Sequence, residues 1–106
     1  MNGNKFKVTT QQDEHQVTVR LQGDLDLAAA GEFRSLLEPI VNDPALDLTL
    51  DLQELTYIDS TGIGILISVL KLRKEQQSQF RIVHVPQQIQ KLFDMTGISK
   101  FLTPNA

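Results

Sequence analysis

The residues of this 106-residue chain whose types and spacing could do chemistry lie in Tyr57-Ile58-Asp59-Ser60-Thr61-Gly62-Ile63-Gly64. The segment joins an alternating apolar stretch to a dense apolar run, so it reads as a turn between a strand and a buried helix. Ser60 or Thr61 is then the N-cap or the first residue of that helix. Backbone N–H groups are unpaired there, and the helix dipole favours negative charge. The plainest role for such a hydroxyl is a cap, with Asp59 as a second capping candidate. The same position also houses a phosphate well. A phosphoryl group would bring about −1.5 to −2 charge next to Asp59, and near Asp26 if the strand ends lie together. The chemistry on offer is a modification that leaves the fold intact and makes one surface densely anionic.

Catalytic readings fit less well. Aspartic proteases use Asp-Ser/Thr-Gly, but here Asp59-Ser60-Thr61-Gly62 has one residue too many and no second copy supplies a dyad. A serine hydrolase needs a base within hydrogen-bond reach. The histidines are His15, at the start of a strand, and His84, expected inside the last strand. No Gly-x-Ser-x-Gly elbow is present. Gly62-x-Gly64 lacks the third glycine and the Gly-Lys-Ser/Thr ending of nucleotide loops. The acidic pair and late lysine of phosphoaspartate receiver domains are not in place. Two distant histidines and scattered carboxylates make no metal site.

The elements that must position this segment can be read from periodicity. Phe6, Val8 and Thr10 alternate weakly with polar neighbours, suggesting a first strand. Val17, Val19 and Leu21 alternate cleanly, and Gly23 is expected to end that strand. Phe33, Leu36, Leu37, Ile40 and Val41 share one helix face. Asp26 is the expected N-cap, and Asn42, Asp43 and Pro44 the stop. Leu46, Leu48, Leu50 and Leu52 alternate as a strand, with a turn expected over Tyr57 to Gly62. The apolar segment to Leu72 suits a strand by composition, but its length and the polar run Lys71 to Gln77 favour a helix. Gly62 and Gly64 would let its first turn approach other backbone closely. Phe80, Ile82, Val83 and Val85 form the last strand. Pro86 opens the next helix at its first position. Ile89, Leu92 and Phe93 give that helix an apolar face, and Gly97 stops it. Ile98, Phe101 and Leu102 are expected to tuck back onto the core. The order β-β-α-β-α-β-α implies a single small α/β domain, a mixed β-sheet covered by helices.

Composition narrows the function classes. The net charge of −3 gives no footprint for nucleic acid. With no cysteine, disulfides and thiolate metal sites are excluded, which fits a cytoplasmic protein. The polar stretch Met1 to Lys7 lacks a signal-peptide core. The run Ile63 to Leu70 is far short of the ~20 residues a membrane span requires.

Three segments carry a resemblance to a known family. Gly23-Asp24-Leu25-Asp26 resembles the Gly-Glu-Ile/Leu-Asp that ends the second strand of STAS domains (sulphate transporter and anti-sigma factor antagonist). Asp59-Ser60-Thr61-Gly62-Ile63-Gly64 resembles their phosphorylation loop, and Leu92-Phe93-Asp94-Met95-Thr96-Gly97 a segment late in the domain. Asp24 stands where the family usually has Glu. The resemblance runs from about Phe6 to Leu102 and implies one STAS domain over residues 1–106.

It further implies an anti-sigma factor antagonist with no enzyme activity and no cofactor. The unphosphorylated form would bind an anti-sigma factor that is itself a serine kinase, freeing a sigma factor. Phosphorylation of Ser60 would break that complex, and a PP2C-like phosphatase would restore it. Asp26, Asp59, Ser60, Thr61 and Gly62 are the expected partner-binding surface, with Ser60 preferred over Thr61 as acceptor. Because no transmembrane segment is evident, a free-standing cytoplasmic module is favoured over a transporter tail. A monomer or weak dimer is expected, since Lys5 and Lys7 discourage pairing through the first strand. The alternative is an interaction or scaffold module that is never phosphorylated.

Overall fold

The computed structural model describes residues 4–98 and 100. Its elements are β1 (Lys7–Gln12), β2 (Gln16–Leu25), α1 (Leu27–Val41), β3 (Asp47–Ile58), α2 (Ser60–Glu75), β4 (Phe80–Val83) and α3 (Gln87–Thr96). The order is the expected β-β-α-β-α-β-α. The four strands form one sheet, β1-β2-β3-β4. β1 runs antiparallel to β2, while β2–β3 and β3–β4 are parallel. The two parallel joins demand crossovers, which α1 and α2 provide.

The apolar alternation sets which face is covered. Val17 pairs with Leu48 and Val19 with Leu50, and all four are buried beneath the helices. Between them Thr18, Arg20 and Thr49 point to the other face, where they remain exposed or half-buried. Phe33, Leu37 and Val41 of α1, Ile65, Leu66 and Val69 of α2, and Ile89 and Phe93 of α3 complete the core. Phe6 packs edge-on against Phe33, ring centroids 5.7 Å apart, and so ties the chain before β1 to α1. Such an aromatic pair contributes about 0.5–1.5 kcal/mol beyond its burial. Among the described residues no helix is long and apolar enough to cross a membrane.

Several boundaries differ from the sequence expectation, each for a local reason. Gly23 does not end β2. The strand passes through it at φ +81° and continues to Leu25, with register shifts on both sides. A Cβ there would lie 2.1 Å from the Lys5 carbonyl oxygen, so only glycine admits the crossing N-terminal backbone. β3 likewise runs on to Ile58 rather than turning at Tyr57. It takes up extra residues relative to β2: Leu21 lies opposite both Leu52 and Gln53, and Thr56 has no partner between Leu55 and Tyr57. These bulges shift the buried positions from Leu52 to Leu55 and Ile58, which breaks the period of two.

The ambiguous apolar segment is a helix, α2. β4 stops at Val83, leaving Val85 outside it, and His84 turns away at φ +56° rather than lying in the strand. Pro86 is the N-cap of α3 rather than its first residue, and Gly97 closes that helix at φ +83°. Ile98 is buried as expected. Phe101 and Leu102 lie outside the described residues.

Candidate functional site

β2 and β3 run parallel and end side by side, with Leu25 opposite Ile58. Each strand is followed at once by an aspartate and then a helix. The parallel register therefore brings Asp26 and Asp59, and the starts of α1 and α2, to one edge of the domain. Both aspartates adopt extended backbone and cap their own helices: Asp26 Oδ1 accepts from the Ala29 N–H at 3.1 Å, and Asp59 Oδ1 from the Gly62 N–H at 3.0 Å. Asp59 does more. Its Oδ2 accepts the Leu27 N–H at 3.1 Å, and its own N–H donates to the Leu25 carbonyl at 3.3 Å. One carboxylate thus clamps the first turns of both helices, satisfying donors that would otherwise lack partners.

With Asp59 as the cap, Ser60 is the first residue of α2 and has no capping task. It is exposed, whereas Thr61 is half-buried. Gly62 is buried, and a Cβ on it would lie 2.7 Å from Ile58 Cγ1 and 2.8 Å from the Leu25 carbonyl oxygen. The close approach expected of both glycines is made by Gly62. Gly64 has open space, with nothing within 4 Å of a built Cβ.

The neighbouring acid, Asp24, is buried and accepts a hydrogen bond from the Thr56 hydroxyl at 2.8 Å. Thr56 is the unpaired bulge residue, so this bond fixes the bulge beside the site. An open depression of about 400 Å³, lined in part by Lys5, Asp24, Asp26 and Glu32, adjoins it. The edge is predominantly acidic.

Both histidines lie away from Ser60. The His15 carbonyl bonds the Asp47 N–H, at the opposite end of β3. His84 Nδ1 pairs with Asp51 Oδ1 at 3.1 Å, seven residues before Ile58. At ~3.3 Å per residue that is roughly 20 Å along the strand. Neither can serve Ser60 as a base. No group of three or more metal-ligating side chains is assembled among the described residues.

Two polar clusters were missed in the sequence. Asp51 is buried within β3 and pairs with His84 and with Arg20, whose Nε is 3.6 Å away. Arg73 is fully buried. Its guanidinium donates to the carbonyls of Val41, Asp43, Leu46 and Gln79, joining the loop after α1 to the loop after α2. Burial pushes its pKa down, while Asp47 and Asp43 oppose that shift. The signal for Arg73 was its place four and seven residues after Val69 and Leu66, on the apolar stripe of α2.

Comparison with known proteins bears on the fold and the family. The family model described as "Mlab, STAS domain" matches residues 8–104. The "Anti-sigma-B factor antagonist" of Bacillus subtilis (strain 168) is 29% identical over 101 residues, covering 95% of this chain and 92% of that protein. Among solved structures, a putative anti-sigma factor antagonist from Thermotoga maritima superposes with a TM-score of 0.83 at 16% identity, covering 91% of this chain and 83% of the other. The Bacillus cell fate determinant SpoIIAA, an anti-sigma factor antagonist, matches with TM-scores of 0.76 unphosphorylated and 0.72 phosphorylated. Identity is 18% in both, with 93% of this chain covered and 86% and 89% of the other. At such identities the structures speak to fold alone. The fold, the paired strand-end aspartates and the family match over residues 8–104 together establish that this chain belongs to the STAS domain family.

Proposed function

We propose that this protein is an anti-sigma factor antagonist acting by binding rather than catalysis, and that phosphorylation of Ser60 switches it off. The observation that carries the reading is the division of labour at the start of α2: Asp59 does the capping, leaving an exposed Ser60 hydroxyl free for modification. The name of the Bacillus subtilis relative supports the antagonist role.

In this reading the unphosphorylated edge formed by Asp26, Asp59, Ser60 and Thr61 meets an anti-sigma factor that is also a serine kinase. Gly62 contributes by letting the first turn of α2 sit close against Leu25 and Ile58. A phosphate on the first residue of α2 is compatible with the helix, because the dipole favours negative charge there. It is incompatible with a partner fitted to the neutral hydroxyl beside two carboxylates. Like charge at an interface costs several kcal/mol, and about 2.7 kcal/mol is already a hundredfold in affinity. No large conformational change is required. A PP2C-like phosphatase resets the switch. The whole chain acts as one cytoplasmic STAS domain, a monomer or weak dimer.

The test is phosphosite mapping after incubation with the cognate kinase and ATP. One phosphate on Ser60, absent in Ser60→Ala, is the expected result. No incorporation, or incorporation confined to Thr61, would favour a constitutive scaffold instead.

A further inference from the structure

We infer that Leu27 is the apolar anchor of the surface around Ser60, and that it enters an apolar pocket rimmed by basic side chains on the anti-sigma factor. This rests on the reading of the site given above and names the partner's surface chemistry.

Leu27 is the first residue of α1 and is 73% exposed. The large apolar residues farther along that helix, Phe33 and Leu37, are buried in the core. Leu27 contributes nothing comparable there, and a first helical turn has no need of an apolar side chain. Its neighbours Ala28 and Ala29 are small, so it projects as an isolated knob that a concave partner can surround. Four large apolar side chains are prominently exposed among the described residues: Leu27, Tyr57, Leu72 and Met95. Two of these, Leu27 and Tyr57, lie within two residues of the aspartates Asp26 and Asp59.

The position of Leu27 is also fixed. Asp59 Oδ2 accepts its backbone N–H, and Asp59 immediately precedes Ser60. One carboxylate therefore holds both the anchor and the modified residue in place. A pinned backbone reduces the ordering cost of binding. A central apolar side chain surrounded by polar contacts is the usual arrangement of a binding hot spot. Here the surround is Asp26 and Asp59, which calls for Lys or Arg on the partner. A phosphate on Ser60 would place a hydrated dianion beside the pocket that must close over Leu27. The switch then acts by preventing desolvation of the anchor, with Leu27 itself unmoved.

The experiment is calorimetric titration of the protein with the purified serine-kinase anti-sigma factor of its own organism, without ATP hydrolysis. Leu27→Ala is expected to weaken binding about 10- to 100-fold while leaving the thermal unfolding midpoint unchanged. Leu27→Met should bind within about threefold of wild type, because it preserves apolar volume. Leu72→Ala, twelve residues from Ser60 along α2 and so roughly 18 Å away, should bind as wild type. Wild-type affinity should fall as salt is raised. Leu27→Ala binding as tightly as wild type would overturn the anchor, and salt-independent affinity would overturn the basic rim. Wild-type protein that fails to bind overturns the functional reading itself, a separate and distinguishable result.

Discussion

The Asp59 carboxylate accepts the Leu27 N–H across 3.1 Å, so the cap of α2 also holds the first turn of α1. The two helices follow different strands, 32 positions apart in sequence, and meet only because β2 and β3 end in register. Asp59 is therefore a structural clamp beside Ser60, and substitutions there act on geometry before they act on charge.

Replacing it separates these roles. Asp59→Ala removes both acceptors and should cost about 2 kcal/mol, the upper part of the range for a lost N-cap. Asp59→Asn keeps one acceptor oxygen and should cost about half as much. Urea unfolding at neutral pH reads both. Equal stability of Asp59→Ala and wild type would mean that the clamp is not formed in solution.

The two glycines of the motif should respond with opposite signs. In Gly62→Ala the new methyl meets Ile58 and the Leu25 carbonyl below 3 Å, so overpacking should destabilise by about 1–3 kcal/mol. In Gly64→Ala the methyl meets nothing within 4 Å, and the gain in helix propensity should stabilise by about 0.5–1 kcal/mol. Thermal melts of the two variants, run side by side, should move in opposite directions. A shift in the same direction would contradict the packing described for α2.

Arg73 should be among the most sensitive positions. Arg73→Met leaves the carbonyls of Val41, Asp43, Leu46 and Gln79 without their shared donor in a buried setting. A loss of about 3 kcal/mol is expected, at roughly 1–3 kcal/mol per unsatisfied buried group with partial relaxation. For a domain of this size that lowers the melting midpoint by more than about 10 °C. A shift below about 3 °C would show that water replaces the guanidinium.

Asp51 supplies a pH dependence. Burial raises its pKa, but the Gln53 N–H, the hydrogen bond and charge of His84, and Arg20 together hold it below the usual carboxylate value of 3.8. A carboxyl depressed in the folded state stabilises above its unfolded pKa, and that stability is lost as pH falls through the folded pKa. Wild type should therefore lose stability below about pH 4 more steeply than Asp51→Asn, whose curve lacks this contribution. Parallel curves from urea unfolding between pH 3 and pH 6 would contradict it.

The elements of the fold were legible where one periodicity held unbroken. Val17 to Leu21 and Leu46 to Leu52 alternate, Phe33 to Val41 follow a helical stripe, and their order dictates two crossovers. The strand ends were not legible, because bulges at Gly23 and Thr56 break the alternation just before the site. Beyond those irregularities Asp26 and Asp59 each cap their own helix, and Asp59 also reaches the first turn of α1. Ser60 and Asp59 could be picked out from their motif, but which of them caps α2 depends on a backbone boundary one residue wide. The exposure of Leu27 was hidden, since a leucine opening an amphipathic helix reads as core. Arg73 was hidden for the converse reason, being a charged residue on an apolar helix face whose partners come from distant loops, and Asp51 because its burial on the polar face of the sheet depends on Arg20 and His84 from other segments.

The most direct measurement is the affinity of the purified serine-kinase anti-sigma factor for this protein, unphosphorylated and stoichiometrically phosphorylated on Ser60. The expected result is binding by the unphosphorylated form and at least about a hundredfold weaker binding by the phosphorylated one, which corresponds to about 2.7 kcal/mol. Affinities within threefold of each other would contradict a switch at Ser60.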